Sequence, residues 1–155
     1  MAYYQKVLRP EEKVMFHTTI HWIIYWPAVV FLILAVAAWG LCVHYNLTDR
    51  AAQACTAAAL ILALLAFVAF VRAFVRRSAT EIVVTDNRVI YKRGLISRHT
   101  LEMNASKIET VDVEQSFWGR IFGYGNVIIR GTGGTFEPLV GVAAPLQLRN
   151  TIMVG

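Results

Sequence analysis

Two apolar runs dominate the pattern of hydrophobic and polar positions, one from about Ile20 to Val43 and one from about Ala51 to Val75. A short polar break holding Asp49 and Arg50 separates them. Each run is long enough to cross a hydrocarbon layer of about 30 Å as a helix, so the pattern predicts a two-helix transmembrane hairpin over residues 20–77. Beyond Ser78 the period changes. Short alternating segments predict strands at Glu81 to Thr85, Arg88 to Arg93, Ser97 to Met103, Lys107 to Gln115, Gly125 to Gly131 and Thr135 to Val140. Turn residues separate them at Asp86-Asn87, Gly94 and Gly133-Gly134, and Pro145 opens a short final helix through Leu146, Leu148 and Ile152. Antiparallel strands followed by one helix predict an α+β module over residues 78–155, a small β-barrel or sandwich with one end plugged. The whole is a membrane-anchored α+β chain. Residues 1–19 are ambiguous, because Pro10-Glu11-Glu12 resembles the first turn of a helix while Val14, Phe16 and Thr18 alternate as a strand does. They are expected to form a short cytoplasmic, interfacial segment.

Small residues recur at heptad spacing within the spans. Ala28, Phe31, Ala35, Ala38 and Cys42 do so on the first, and Ala52, Cys55, Ala59, Leu62, Ala66, Ala69 and Ala73 on the second. Lipid supplies no hydrophobic drive between helices, so close backbone approach must hold them together, and the two seams are expected to pack on each other. Trp22, Tyr25 and Trp26 mark one membrane interface, Trp39 and Tyr45 the other, because amphipathic rings favour headgroup depth. A disulfide between Cys42 and Cys55 is conceivable, but both also serve as small apolar residues.

Composition agrees with the hairpin: 57% of residues are hydrophobic and only 16% charged. Up to Arg77 there are seven Lys and Arg against three acids, and after it eight against seven. The basic excess thus flanks the spans, which points to membrane orientation rather than nucleic acid. Lys6, Arg9 and Lys13 precede the first span and Arg72, Arg76 and Arg77 close the second, so both termini are expected in the cytoplasm. Ala35-Val36-Ala37 has the look of a signal-peptide cleavage site, yet the preceding segment is long and acidic and the apolar run continues to Val43, so cleavage is not expected.

Residues in chemically suggestive patterns are few. His17 and His21 lie four apart, a metal-pair spacing on a helix, but no cysteine or carboxylate joins them at ligand spacing. Gly131 to Gly134 lacks the Gly-Lys-Ser/Thr of a phosphate loop, and no serine or cysteine stands in a nucleophile pattern. No catalytic residue, metal or cofactor is expected. Ser116 to Phe122 is the unusual stretch: Phe117, Trp118, Ile121 and Phe122 share one face of a single helical turn. Those rings either fold onto the core, the preferred reading, or form an apolar patch that docks on the bilayer or another subunit, with Trp118 the expected exposed member.

The residues Thr85-Asp86-Asn87-Arg88-Val89, Lys107 to Val113, Gln115-Ser116-Phe117 with Gly119-Arg120, Gly123 to Val127 and Arg130 to Gly134, behind a two-helix hairpin, carry a family resemblance. The chain resembles the bacterial pleckstrin-homology (PH) domain membrane proteins of YdbS type. The resemblance implies a PH-like barrel closed by a C-terminal helix, cytoplasmic and tethered to the inner membrane, and implies little about activity. The final helix is short for it, which leaves the barrel's cap incomplete or completed by a partner. Phosphoinositide-binding PH domains use basic residues in a long loop between their first two strands. Taking that loop as Asp86-Asn87-Arg88, the chain is too short and too weakly basic there for a polyphosphate. Weak contact with anionic lipid is expected instead from Arg72, Arg76 and Arg77, joined by Lys92, Arg93 and Arg98 if that hairpin faces the membrane, against a merely solvated rim for the latter. The expected function is a non-enzymatic adaptor or scaffold whose cytoplasmic module binds other membrane proteins or its own copies; the alternative is an accessory subunit of a transporter, respiratory or proteolytic complex docking through its helices.

Overall fold

The structure, a computed structural model, describes residues 12–44, 49–94, 99–132, 134–135 and 138–154. Strand β1 is Val14–Thr18; a 3-10 turn, Trp22–Tyr25, leads into α1, Trp26–His44, and α2 is Asp49–Ala79. Then come β2 (Glu81–Thr85), β3 (Arg88–Arg93), β4 (His99–Asn104), β5 (Ile108–Glu114), α3 (Phe117–Phe122), β6 (Tyr124–Gly131), β7 (Gly134–Thr135), β8 (Leu139–Ala143) and α4 (Pro145–Val154). Chain contacts group the residues into two units, Trp22–Val75 and the remainder of the described chain.

In the β unit, β1-β2-β3-β4 make one antiparallel sheet; β5-β6-β7 make the other, with β8 also on β6. Residues 14–18 are therefore a strand of the first sheet, not a separate interfacial segment. The alternation of Val14, Phe16 and Thr18 prevails because a ladder is available: Phe16 pairs with Val84 and Thr18 with Ile82. Just beyond, the chain crosses to the second sheet, where Ile20 bridges Val142 and the His21 amide donates to the Gly141 carbonyl at 2.8 Å. The inward faces alternate as a period of two requires, and Ile82, Val84, Val89, Val111, Val127, Ile129, Leu139 and Val142 form one core. Short as it is, α4 places Leu148 and Ile152 in that core, so the cap on the barrel comes from the chain itself. The strand expected from Thr135 to Val140 is two pieces, β7 and β8. Gly133 lies outside the described residues.

In the other unit, the stretches Trp22–His44 and Arg50–Ala79, which runs on past it, are long and apolar enough to cross a membrane. Ala28 and Ala35 on α1, and Ala59, Ala66 and Ala73 on α2, are buried, whereas Leu32, Ile33, Val36, Leu60, Ile61, Leu64 and Phe67 are exposed. Ala52 is half-buried, as are Cys42 and Cys55. The Cys55 thiol donates to the Ala38 carbonyl at 3.2 Å and the Cys42 thiol to that of Ala52 at 3.7 Å, and both cysteines are free. The small residues Ala38, Cys42, Ala52 and Cys55 thus meet across the two helices, and the large ones named face out. Replacing Ala59 and Ala66 together by leucine is expected to overpack this seam at about 1–3 kcal/mol per site, read as a lower melting temperature of the hairpin's helical signal in detergent.

Candidate functional site

A cavity of about 220 Å³ opens in the β unit, its floor made by Ile82, Leu139 and Val142 and its wall by Tyr91 and Thr80. Arg76 and Arg93 both line it. They arrive from different elements, Arg76 from the last turns of α2 and Arg93 from the end of β3. The Thr80 hydroxyl, donating to the Arg76 carbonyl at 2.8 Å, fixes the close of that helix. Guanidinium groups beside an apolar floor suit an anion that carries an apolar portion. Of the six basic residues expected at headgroups, the structure brings these two together on one cavity. Arg72 is exposed on α2, Lys92 is half-buried on β3 across from Glu81, Arg77 lies close enough to His21 to act on it electrostatically, and Arg98 lies outside the described residues.

The second feature is α3. Ser116 caps it, its hydroxyl accepting from the Gly119 amide at 3.1 Å, and Gly123 ends it in the left-handed region at φ 75°. Gly119 is the residue that faces the body: a Cβ there would lie 2.6 Å from the Tyr124 carbonyl oxygen. The Gln115 side-chain amide ties the turn together, donating to the carbonyls of Gly119 at 3.3 Å and Tyr124 at 3.0 Å. With glycine inward, the opposite face goes to water: Phe117 is 71% exposed, Trp118 59%, Ile121 57% and Phe122 43%. The preferred expectation, that these rings fold onto the core, is therefore wrong, and Trp118 is one of four exposed members rather than the only one. The rings rest on each other, Phe117 edge-on to Trp118 at 5.4 Å and Trp118 stacked on Phe122 at 6.0 Å.

Next to this turn, the His21 imidazole stacks on Tyr124 at 5.5 Å and donates to the Phe122 carbonyl. Burial foremost, then the positive charge of Arg77, lowers its pKa, while the Phe122 carbonyl opposes the shift. With His17 on β1 and His21 beyond its end, the helical four-residue spacing does not exist, and among the described residues no group of His, Cys, Asp and Glu is arranged to hold a metal.

A family model described as bacterial PH domain matches residues 29–153. The chain belongs to the bacterial PH domain family. No match was found among curated proteins or among solved structures. For this bacterial PH domain the strand order changes one inference from sequence. Because β1 precedes the apolar helices, the connection between the first two strands is not Asp86-Asn87-Arg88, which joins β2 to β3, but residues 19–80, hairpin included. The shortness of Asp86-Asn87-Arg88 therefore carries no argument against an anionic ligand. Arg76 and Thr80, on the cavity, sit in that long connection.

The sequence offered no sign of one further cluster. Glu12, whose side chain is only 2% exposed, pairs with Arg88 at 2.8 Å, and Arg88 reaches Glu102 at 2.7 Å. This network joins the start of the described chain to β3 and β4 and is structural.

Proposed function

We propose that the chain is a non-enzymatic adaptor held in the bacterial inner membrane by two spans, with its PH-like unit and both termini in the cytoplasm. One observation carries the reading: α1 and α2 bury one stripe of alanines, Ala28 and Ala35 on the first and Ala59, Ala66 and Ala73 on the second, and expose most of their leucines, isoleucines and phenylalanines, an arrangement suited to lipid and costly in water. Both spans lie within the connection between β1 and β2, so both ends of the hairpin return to the one β unit, on one side of the membrane. The excess of Lys and Arg at those ends supports the cytoplasmic side. PH-like barrels serve binding in many settings, and the exposed aromatic turn and the arginine-lined cavity are the surfaces that would do so here. Protease added outside intact spheroplasts is expected to leave the segment beyond Ser78 whole; its digestion would invert the topology and end the reading.

The cavity supports weak contact with an anionic lipid headgroup. Reversing both charges, Arg76→Glu with Arg93→Glu, is expected to reduce the thermal stabilisation that added phosphatidylglycerol gives the purified chain, at about 1 kcal/mol per arginine. An unchanged response would remove the cavity from lipid contact.

An apolar groove of about 410 Å³ on the hairpin, lined by Tyr25, Ala28, Leu32, Ala66 and Phe70 among others, favours a second reading. In it, the chain is an accessory subunit docking through its helices on a larger membrane complex. Purification in mild detergent separates the two: an adaptor keeps its partners when the surfaces of the β unit are intact, whereas a subunit loses them when Leu32 and Phe67 on the groove are replaced by alanine.

A further inference from the structure

Four large apolar side chains on one six-residue turn, all facing water, need a cover, and their place in the fold says which. Tyr124, the second residue after α3, stacks on His21, and Phe122, the last residue of α3, accepts a hydrogen bond from the same imidazole. His21 is bonded to Trp22, the first residue of the apolar stretch Trp22–His44. A peptide link spans 3.8 Å between Cα atoms, so whatever the tilt of the hairpin, the chain passes into its first span within one residue of the ring that holds α3. Arg77, near the end of the second stretch, is close enough to depress the pKa of that same imidazole.

We propose that α3 is a third membrane contact, a short wedge seated in the headgroup layer of the same bilayer that the hairpin crosses, with Phe117, Trp118, Ile121 and Phe122 at the acyl boundary and Arg120 at the phosphates. The chemistry of the turn fits that occupant. Tryptophan and phenylalanine beside arginine are the composition of interfacial anchors, and no acidic residue occurs from Gln115 to Gly131 to repel an anionic surface. Arg120 is exposed on the turn, as this placement requires. The Ser116 cap, the left-handed Gly123 and the Gln115 clamp hold the wedge ready before it meets lipid, so docking orders little new chain. A protein partner would have to be recruited, whereas a bilayer crossed by the neighbouring residues is present at all times at high effective concentration. The consequence for function is that the PH-like unit is held at a fixed face to the membrane instead of swinging on its two connections.

The inference rests on the hairpin being membrane-crossing, and the test separates the two. In the full chain, Trp22, Trp26 and Trp39 are replaced by phenylalanine so that Trp118 alone emits, and the protein is placed in nanodiscs of phosphatidylcholine and phosphatidylglycerol brominated either near the headgroup or at the acyl end. Trp118 is expected to emit blue-shifted from a water-exposed indole and to lose most of its intensity with the shallow bromines but little with the deep ones. A companion chain that keeps only Trp39 reports the span. Unquenched, water-like Trp118 beside a quenched Trp39 overturns the wedge and leaves the spans standing; if neither is quenched, the membrane-crossing reading itself falls. Emission that shifts only when two or more copies share a disc assigns the turn to a second copy, and that also overturns the wedge. Should the triple replacement not fold, Trp118→Phe in the otherwise native chain reads the same quantity as a difference, the shallow-quenched part of the emission shrinking.

Discussion

Replacing Arg88 by alanine is expected to destabilise the β unit by about 3–5 kcal/mol, the loss typical of breaking a buried ion pair by removing one partner. The guanidinium grips Glu12 with two parallel bonds, Nε to Oε1 at 2.9 Å and Nη2 to Oε2 at 2.8 Å, and donates its other Nη1 to Glu102 at 2.7 Å. The Thr85 hydroxyl also donates to Glu12 Oε1 at 2.7 Å, and the Arg88 amide donates to that hydroxyl at 3.1 Å. With its side chain 2% exposed, Glu12 keeps the Thr85 hydroxyl but loses both of the arginine's bonds, and little water reaches it to replace them. The penalty is thus mostly the stranded carboxylate, more than the worth of the pair. Two further variants isolate it. Glu12→Gln removes the charge and leaves Arg88 its bond to Glu102, so a smaller loss is expected; Arg88→Met with Glu12→Leu, which removes both charges, is expected to recover much of the stability lost by the single change. Hydrogen exchange is the measurement, because it reads the β unit separately from the helices: amides of β1, β2 and β3 exchange faster in Arg88→Ala. Protection unchanged to within about 0.5 kcal/mol would mean that water already satisfies Glu12.

How far such features were legible beforehand depends on the range of the interaction behind them. The two long apolar helices were plain because hydropathy is local, and their buried alanines, Ala28, Ala35, Ala59, Ala66 and Ala73, fall on a three-and-four spacing that needs no knowledge of what covers them. Strands β2, β3, β5 and β6 were legible within a residue or two, since alternation and turn residues are local as well. Residues 14–18 were not. Three alternating positions competed with a Pro-Glu-Glu helix start, and what decides between them is a ladder to residues 82–85 on the far side of the hairpin. Leaving that strand undecided then misplaced the loop between the first two strands, and with it the argument about anionic ligands. Glu12 and Arg88 stand 76 residues apart in sequence, one before and one after the two long apolar helices, so no window contains both. Arg76 and Arg93 were each candidates, but only the fold brings a helix end and a strand end to one cavity. The spacing of the aromatic turn predicted its helix and its common face, while the direction of that face was decided by Gly119, whose missing side chain lets the backbone press against Tyr124. A glycine in the middle of a one-turn helix was the available signal.

Leu148→Ala is expected to cost about 2–5 kcal/mol, as a fully buried leucine truncated in a core does. Leu148 is 0% exposed and Ile152, one turn on, 7%. They are the inward stripe of α4, which packs on β5 and β6 of one sheet and on β1 and β2 of the other. Around them lie Val111, Val127 and Ile129 from one sheet and Ile82 and Val84 from the other, so the leucine fills the end of the barrel where the two sheets part. Strands on both sides hold the site open, and collapse around alanine is restricted; the loss therefore belongs toward the upper part of that range. The cavity itself contributes, because the lining atoms forfeit their dispersion contacts as well as the leucine's transfer energy. Leu146, two residues earlier on the same helix, is 51% exposed and serves as the control: alanine there keeps the helix propensity and is expected to change stability by no more than about 0.5 kcal/mol. Thermal melts of the two variants in the same detergent, followed by exchange of the β6 and β2 amides, give the comparison. Equal melting of Leu146→Ala and Leu148→Ala would show that α4 does not close the barrel, and a wild-type-like Leu148→Ala would leave the cap to a partner.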